Sequence, residues 1–166
     1  EERLRMIKLC MPRTDAMAEP LDLFSHVQPD SYARLLALRV KTDWDDYLLL
    51  AVFNLDKSAR REKLSAGLLG LDSARSYRIY DFWNEEYAGC FRGEFAPEIP
   101  ADSCKLYRIS RTRKHPWLLS TNMHIQQGNV EVTALKWNPR AMTLSGRVTR
   151  PRGERGSLYF IMPNNY

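Results

Sequence analysis

Clustered carboxylates, in TDWDDY and in WNEEY, are side chains whose type and spacing could do chemistry. Two carboxylates at a defined separation can cleave a glycosidic bond, one as the acid and the other as the nucleophile or base. Both clusters, however, lie where a turn meets a predicted strand, a place that Asp, Asn and Glu often occupy for turn chemistry alone. We therefore interpret them as structural, with a small hydrolase as an alternative. The carboxylates concerned are Asp43, Asp45, Asp46, Glu85 and Glu86.

A pair of histidines lies in HPWLLSTNMHIQQGNVEV, residues 115–132. Nine positions separate them, the joint segment proper, residues 115–128, supplies no third metal ligand, and no carboxylate from residue 111 to residue 130 could orient an imidazole. We predict instead that the segment is a joint between two β meanders, with side chains that are largely buried and bonded to the main chain. The predicted joint residues are His115, Trp117, Asn122, His124, Gln126, Gln127 and Gly128.

Aromatic side chains are the candidates for carbohydrate binding. An indole exposed on the rim of a sandwich presents a flat apolar face to a sugar ring, although a tryptophan beside a strand is more often part of a core. Trp44 lies among acidic residues in a polar turn, and we predict it to be the best exposed tryptophan. The predicted carbohydrate-binding residues, which belong to this alternative, are Trp44, Trp83 and Tyr87.

Motifs for a metal, a cofactor or an activated nucleophile are absent from the sequence. The three cysteines are widely spaced and form no C-x2-C pair of the kind that a structural zinc site uses. There is no G-x-S-x-G elbow and no glycine-rich phosphate loop. We therefore predict no catalytic residue, no metal and no cofactor.

Positive charge is concentrated in the C-terminal third of the chain. The formal net charge is +5, and residues 111–166 contain nine Lys and Arg against two Asp and Glu. These arginines are scattered over predicted strands and turns and do not alternate with aromatic residues in a short motif. We predict a solvated face, or one that docks on an acidic neighbour, and no binding of nucleic acid. No run of about 18 apolar residues occurs, so no membrane partner is predicted.

Strand patterns at about ten-residue spacing predict an all-β fold, an antiparallel β-sandwich. DYLLLAVFNLD is apolar on both faces, which predicts a central strand. Leu4, Ile7 and Met11 have helical spacing and Pro12 follows them, so we expect a short N-terminal helix and then an extended linker. Three strand patterns after Arg113 predict a second short β meander. The predicted divisions are 1–20 for the helix and linker, 21–113 for the sandwich, and 114–166 for the meander packed on it.

Five segments follow each other in the order AEPLDLFSH, DYLLLAVFNLD, YRIYDFWNEEYAG, SCKLYRI and HPWLLSTNMHIQQGNVEV. In this order they resemble the C-terminal region of bacterial glycoside hydrolases of the α-galactosidase-like clan, families 27 and 36, the melibiase-type enzymes. The resemblance implies a catalytic (β/α)8 barrel in the same parent chain, with residues 1–20 as its tail and linker. No segment matches the catalytic aspartates of that family, so none is carried over.

The resemblance leads to one interpretation of function and leaves one main alternative. The chain is expected to be a non-catalytic C-terminal domain that supports the barrel, and to lack hydrolase activity when isolated. An autonomous carbohydrate-binding module is the alternative. The sequence leaves open whether the parent protein is a cytoplasmic or an exported bacterial protein.

Overall fold

The computed structural model describes residues 2–11, 17–24 and 32–163. One helix, α1 (Glu2–Cys10), lies in these ranges, and no described helix is long and apolar enough to span a membrane. Pro12, which we expected to follow the helix, lies outside the described residues. The strands are β1 (Glu19–Pro20), β2 (Leu35–Lys41), β3 (Asp46–Asn54), β4 (Arg60–Arg61), β5 (Leu64–Ser65), β6 (Ser76–Asp81), β7 (Glu86–Arg92), β8 (Glu94–Phe95), β9 (Glu98–Ile99), β10 (Ser103–Arg111), β11 (Trp117–Thr121), β12 (Val132–Asn138), β13 (Thr143–Val148) and β14 (Leu158–Ile161).

A six-stranded antiparallel sheet in the order β1-β2-β3-β10-β6-β7 forms the centre of the fold. Because successive side chains of a strand point to opposite faces, β3 places Leu48, Leu50 and Val52 on one face and Tyr47 and Leu49 on the other. All five are buried. The prediction of an all-β sandwich with this segment as its central strand is confirmed.

The first face of this sheet, which we call the apolar face, is covered by two short ladders, β4 with β9 and β5 with β8. Its core contains Leu50, Leu64, Ile79 and Ile99, each no more than 1% exposed. Burying an aliphatic side chain of this size stabilises the fold by about 1.5 to 3 kcal/mol. This face is therefore held by the hydrophobic effect.

The second face, which we call the joint face, is covered by the ladder of β11 with β14 and by the hairpin of β12 and β13. The predicted meander is thus divided between two ladders, because β14 pairs with β11 and not with β13. Asn122 holds β11 and β14 together at one end of their ladder. Its backbone N–H donates to the Ser157 carbonyl at 3.3 Å and its Oδ1 accepts from the Ser157 N–H at 2.7 Å, which brings the start of β14 alongside the end of β11.

Candidate functional site

The predicted joint segment, residues 115–128, lies on the joint face between β10 and β12. It turns sharply after β11, where the Gln127 N–H donates to the His124 carbonyl at 2.8 Å. Gly128 has a φ of 116°, and a Cβ at this position would lie 3.2 Å from the Trp44 ring and 3.3 Å from Arg108 Nη1. Glycine is therefore required here both for its backbone conformation and for the close approach of the segment to the sheet.

Asp45, at the turn before β3, is the centre of a buried charge network on this face. Its side chain is 2% exposed, and its two oxygens accept from three side chains. Arg108 Nη2 lies at 2.8 Å, Trp117 Nε1 at 3.1 Å and Arg113 Nη2 at 2.6 Å. One carboxylate thus connects the sheet, the segment after β10 and the joint segment.

Arg108, in the middle of β10, is fully buried. Besides Asp45, its guanidinium donates to the Gln127 carbonyl, and its Nε donates to Ser110 Oγ at 3.1 Å. The cation also lies 3.7 Å from the centre of the Tyr47 ring, a cation–π contact. A buried charge costs several kcal/mol unless it is paired and hydrogen-bonded, and Arg108 meets both conditions.

Trp44 and Tyr47 attach the sheet to the backbone of the C-terminal third. Trp44 Nε1 donates to the Val132 carbonyl at 3.1 Å, and the Tyr47 hydroxyl donates to the Gln126 carbonyl at 2.5 Å. Burial raises the pKa of Tyr47 well above its ordinary value of 10.0; the Arg108 cation lowers it, and nearby carboxylates add to the rise. The expectation that Trp44 is exposed is wrong, since it is 8% exposed and its N–H and ring are both engaged.

The histidines of the joint segment serve different contacts and are not brought together. His124 is 2% exposed; its Nδ1 accepts from the Gln126 N–H at 3.0 Å, and its Nε2 lies 2.8 Å from the Met11 carbonyl. Because Nδ1 is an acceptor, the neutral tautomer with the proton on Nε2 satisfies both bonds. The His115 ring is partly buried and lies parallel to Trp137, with 5.3 Å between the ring centres.

Each side-chain amide of the joint segment has at least one hydrogen bond within the fold, although Gln127 Nε2 is buried and has no partner among the described residues. Asn122 Nδ2 donates to Glu85 at 3.0 Å. Gln127 Oε1 accepts from Ser120 Oγ at 2.8 Å, and Gln126 Oε1 accepts from Asn129 Nδ2 at 3.1 Å. Trp117, Gln126, Gln127 and Gly128 are buried with His124, whereas Asn122 and His115 are half-buried.

Sequence reasoning missed two charged members of this network, Arg108 and Arg113, and a separate buried carboxylate, Glu131. Glu131 is 1% exposed and accepts a hydrogen bond from the Thr121 hydroxyl. The signal for Arg108 was available: in β10 it lies between Tyr107 and Ile109, and an arginine in a central strand implies a buried partner. No comparable signal marks Glu131, because it lies in the turn before β12 and its partner, Thr121, lies at the end of β11.

The carboxylate clusters show no arrangement for glycosidic chemistry. Asp45 is occupied by its three side-chain donors and by the backbone N–H of Asp46, and Asp46 forms an exposed ion pair with Arg39. Glu85 accepts from the Tyr159 hydroxyl as well as from Asn122. In the described part of the chain, no group of three or more His, Cys, Asp or Glu residues could hold a metal ion.

The exposed aromatics at the turn between β6 and β7 are the remaining predicted binding residues. Trp83 is 40% exposed and Tyr87 is 43% exposed. Phe82 packs edge-on against Trp83, with 4.9 Å between the ring centres. The Tyr87 hydroxyl is bonded to Arg78. Both rings are therefore partly open to solvent, and each contacts a neighbouring side chain.

Among solved structures, alpha-galactosidase I from Mortierella vinacea is 16% identical, with 48% of this chain and 21% of that chain covered and a TM-score of 0.40. A β-L-arabinopyranosidase from Geobacillus stearothermophilus is 15% identical, with 58% and 20% covered and a TM-score of 0.43. The alpha-galactosidase of Saccharomyces cerevisiae is 11% identical, with 52% and 31% covered and a TM-score of 0.39. The matched part therefore spans less than a third of each of these structures.

A sequence comparison gives the family of the central part of the chain, residues 37–109. No curated protein matches the chain, but the sequence model of the family described as "Alpha galactosidase C-terminal beta sandwich domain" matches residues 37–109, from β2 to β10. Residues 37–109 therefore belong to the C-terminal β-sandwich domain family of the alpha-galactosidases, the melibiase-type family that the sequence analysis predicted.

Proposed function

We propose that the chain is a non-catalytic domain that supports the catalytic barrel of an α-galactosidase-like glycoside hydrolase, with that barrel in the same parent chain. The observation that carries the proposal is an apolar surface formed by α1 and the groove next to it. The buried network around Asp45 also supports it, because a carboxylate with three donors is suited to holding structure together.

The helix exposes apolar side chains that would normally be covered. None of its residues is buried; Ile7 within it is 58% exposed, and Met11, which directly follows it, is 50% exposed. Yet α1 is fixed in place, because the Ile125 N–H donates to the Leu9 carbonyl at 3.1 Å and His124 bonds the Met11 carbonyl. A fixed helix with an uncovered apolar side is suited to contact with another part of the parent protein.

The groove next to α1 has a volume of about 360 Å³ and a mainly apolar lining. It opens between the end of the helix and the outer part of the sheet. The lining residues include Cys10, Met17, Leu36, Leu38, Leu49, Ala51, Leu106 and Ile125. We infer that barrel side chains fill this groove, because burying its apolar lining together with the exposed side chains of Ile7 and Met11 would stabilise the union of two domains.

Association in trans tests this proposal. The chain and the segment encoded directly upstream of it are co-expressed as separate polypeptides, and their association is measured by calorimetry. Ile7→Glu with Met11→Glu is expected to weaken association by at least about tenfold, because each substitution places a charge in an apolar contact. The matched control is Leu55→Glu with Met142→Glu, at residues that are 56% and 57% exposed elsewhere on the molecule. An equal loss of affinity in the test pair and in the control pair would contradict the proposal.

Catalysis by the chain itself is tested with 4-nitrophenyl α-galactoside. We expect no turnover above that of a heat-denatured sample. Turnover that disappears in Glu86→Gln, a substitution at an exposed position that leaves the buried network intact, would establish the small hydrolase instead and overturn the non-catalytic role.

A second candidate function, carbohydrate binding, is favoured by Trp83, whose exposed ring is held by Phe82. Titration with galactosides and raffinose-type oligosaccharides is the test. Binding that falls in Trp83→Ala but persists in Phe160→Ala, where a ring 48% exposed is removed from β14, would support this candidate. If calorimetry detects no heat of binding with any of these sugars, this candidate is excluded.

A further inference from the structure

A second concavity, separate from the apolar groove, lies between α1 and the basic loop that precedes β14. It has a volume of about 360 Å³. Four cations and one carboxylate line it together with Leu4, Leu9, Asn122 and Met123. The cations are Arg5, Lys8, Arg150 and Arg155, and the carboxylate is Glu154. We call this concavity the basic pocket.

The loop that carries three of these charged residues is held firmly against the joint segment. A Cβ at Gly156 would lie 2.0 Å from Met123 Cγ and 2.6 Å from its sulfur, so only glycine fits there. Directly after it, Ser157 is bonded through both its N–H and its carbonyl to Asn122. The basic side chains therefore project from a fixed backbone, and they are not the ends of a mobile tail.

The single carboxylate neutralises only part of the charge. Glu154 bonds Lys8 at 3.3 Å and Arg150 at 2.5 Å, which uses both of its oxygens. Arg5 and Arg155 form no ion pair with any residue in the described ranges. Arg150 Nε is buried and has no hydrogen-bond partner among the described residues, although a buried donor of this kind normally has one.

We propose that the basic pocket binds a compact oxyanion, inorganic phosphate or the phosphate group of a phosphate monoester. Guanidinium groups donate paired hydrogen bonds whose geometry matches the oxygens of a phosphate. Arg5 and Arg155 supply the uncompensated charge, and the Arg150 guanidinium, which Glu154 holds in place, also lines the pocket. Leu4, Leu9 and Met123 lower the local dielectric, which strengthens these bonds. The proposal does not depend on the supporting role proposed above.

Binding is measured by calorimetry with inorganic phosphate, with glucose 6-phosphate and with glucose, in buffers of matched ionic strength. Phosphate and glucose 6-phosphate are expected to saturate one site, and glucose is expected to give no heat. In Arg5→Gln with Arg155→Gln, affinity should fall by at least about tenfold, since both substitutions remove a charge-assisted hydrogen bond to the anion. Tighter binding of glucose 6-phosphate than of phosphate would identify the monoester as the preferred source of the group.

The control pair is Arg140→Gln with Arg147→Gln, which removes two exposed cations from the same C-terminal third but outside the pocket. It should leave phosphate affinity within about twofold, because screened surface charges contribute little. Circular dichroism verifies that both double variants remain folded. No saturable response to phosphate beyond that to chloride, or equal losses in the two pairs, would overturn the proposal.

Discussion

The two faces of the central sheet are buried in different ways. Leu50 and Ile79 on the apolar face belong to a cluster of buried hydrophobic residues, and their places are defined by volume. On the joint face, Asp45 and Arg108 are equally buried but are held by directional bonds to named partners. An apolar core tolerates exchange of similar volumes, whereas a buried ion pair loses its compensation when one partner changes. The apolar face should therefore tolerate substitutions of similar volume, whereas the joint face should not tolerate the loss of a charged partner.

Asp45→Asn, a substitution of nearly equal size, should have the largest effect. It removes the charge that compensates the fully buried Arg108 and the nearby Arg113. The free energy of unfolding is expected to fall by about 3 to 5 kcal/mol, the usual result of leaving a buried charge unpaired. Urea denaturation followed by tryptophan fluorescence measures it. A loss below about 1 kcal/mol would remove the distinction between the faces.

Leu50→Met makes an exchange of similar volume on the apolar face, at a residue that is 0% exposed. Because methionine fills nearly the same space and brings no polar group, we expect a loss of less than about 1.5 kcal/mol. The same denaturation experiment applies. A loss as large as that of Asp45→Asn would mean that both faces depend equally on exact fit.

Tyr47→Phe tests the joint face through pH. Burial raises the pKa of Tyr47, so above pH 10 the hydroxyl ionises in the unfolded chain while it stays neutral in the folded one. The unfolded state then binds fewer protons, and stability falls as pH rises. Tyr47→Phe should make this fall shallower by up to about 1.4 kcal/mol per pH unit. Tyr87→Phe, at an exposed position, is the control, and equal slopes in both variants would contradict the assignment.

Asp46→Asn should have the smallest effect, although it lies next to Asp45. Its ion pair with Arg39 is exposed, with side chains 48% and 43% accessible, and such pairs contribute about 0 to 1 kcal/mol because water and salt screen them. Adding 0.5 M salt should reduce even this difference. A loss comparable to that of Asp45→Asn would show that neighbouring charges, and not burial, determine the effect.

The sequence alone was enough to predict the features that depend on the hydrophobic pattern within a segment and on the order of segments along the chain. The apolar run of β3 indicated a central strand, and the ordered segments indicated the family. It did not predict that Trp44 is buried, because the chain that covers its ring is Gly128 and Val132, more than 80 positions away. The pairing of β14 with β11 was missed for the same reason, since it depends on Asn122 and on the fit of a distant loop.

The bonds of Asp45 also have a consequence for the order of folding. Its three partners lie 63, 68 and 72 positions further along the chain, and contacts of such long range form late because the loop entropy must be overcome first. The network cannot close until β10 has paired with β3. We therefore expect the C-terminal third to dock on a sheet that has already formed, with a φ-value for Asp45→Asn near zero and faster unfolding as its main kinetic effect.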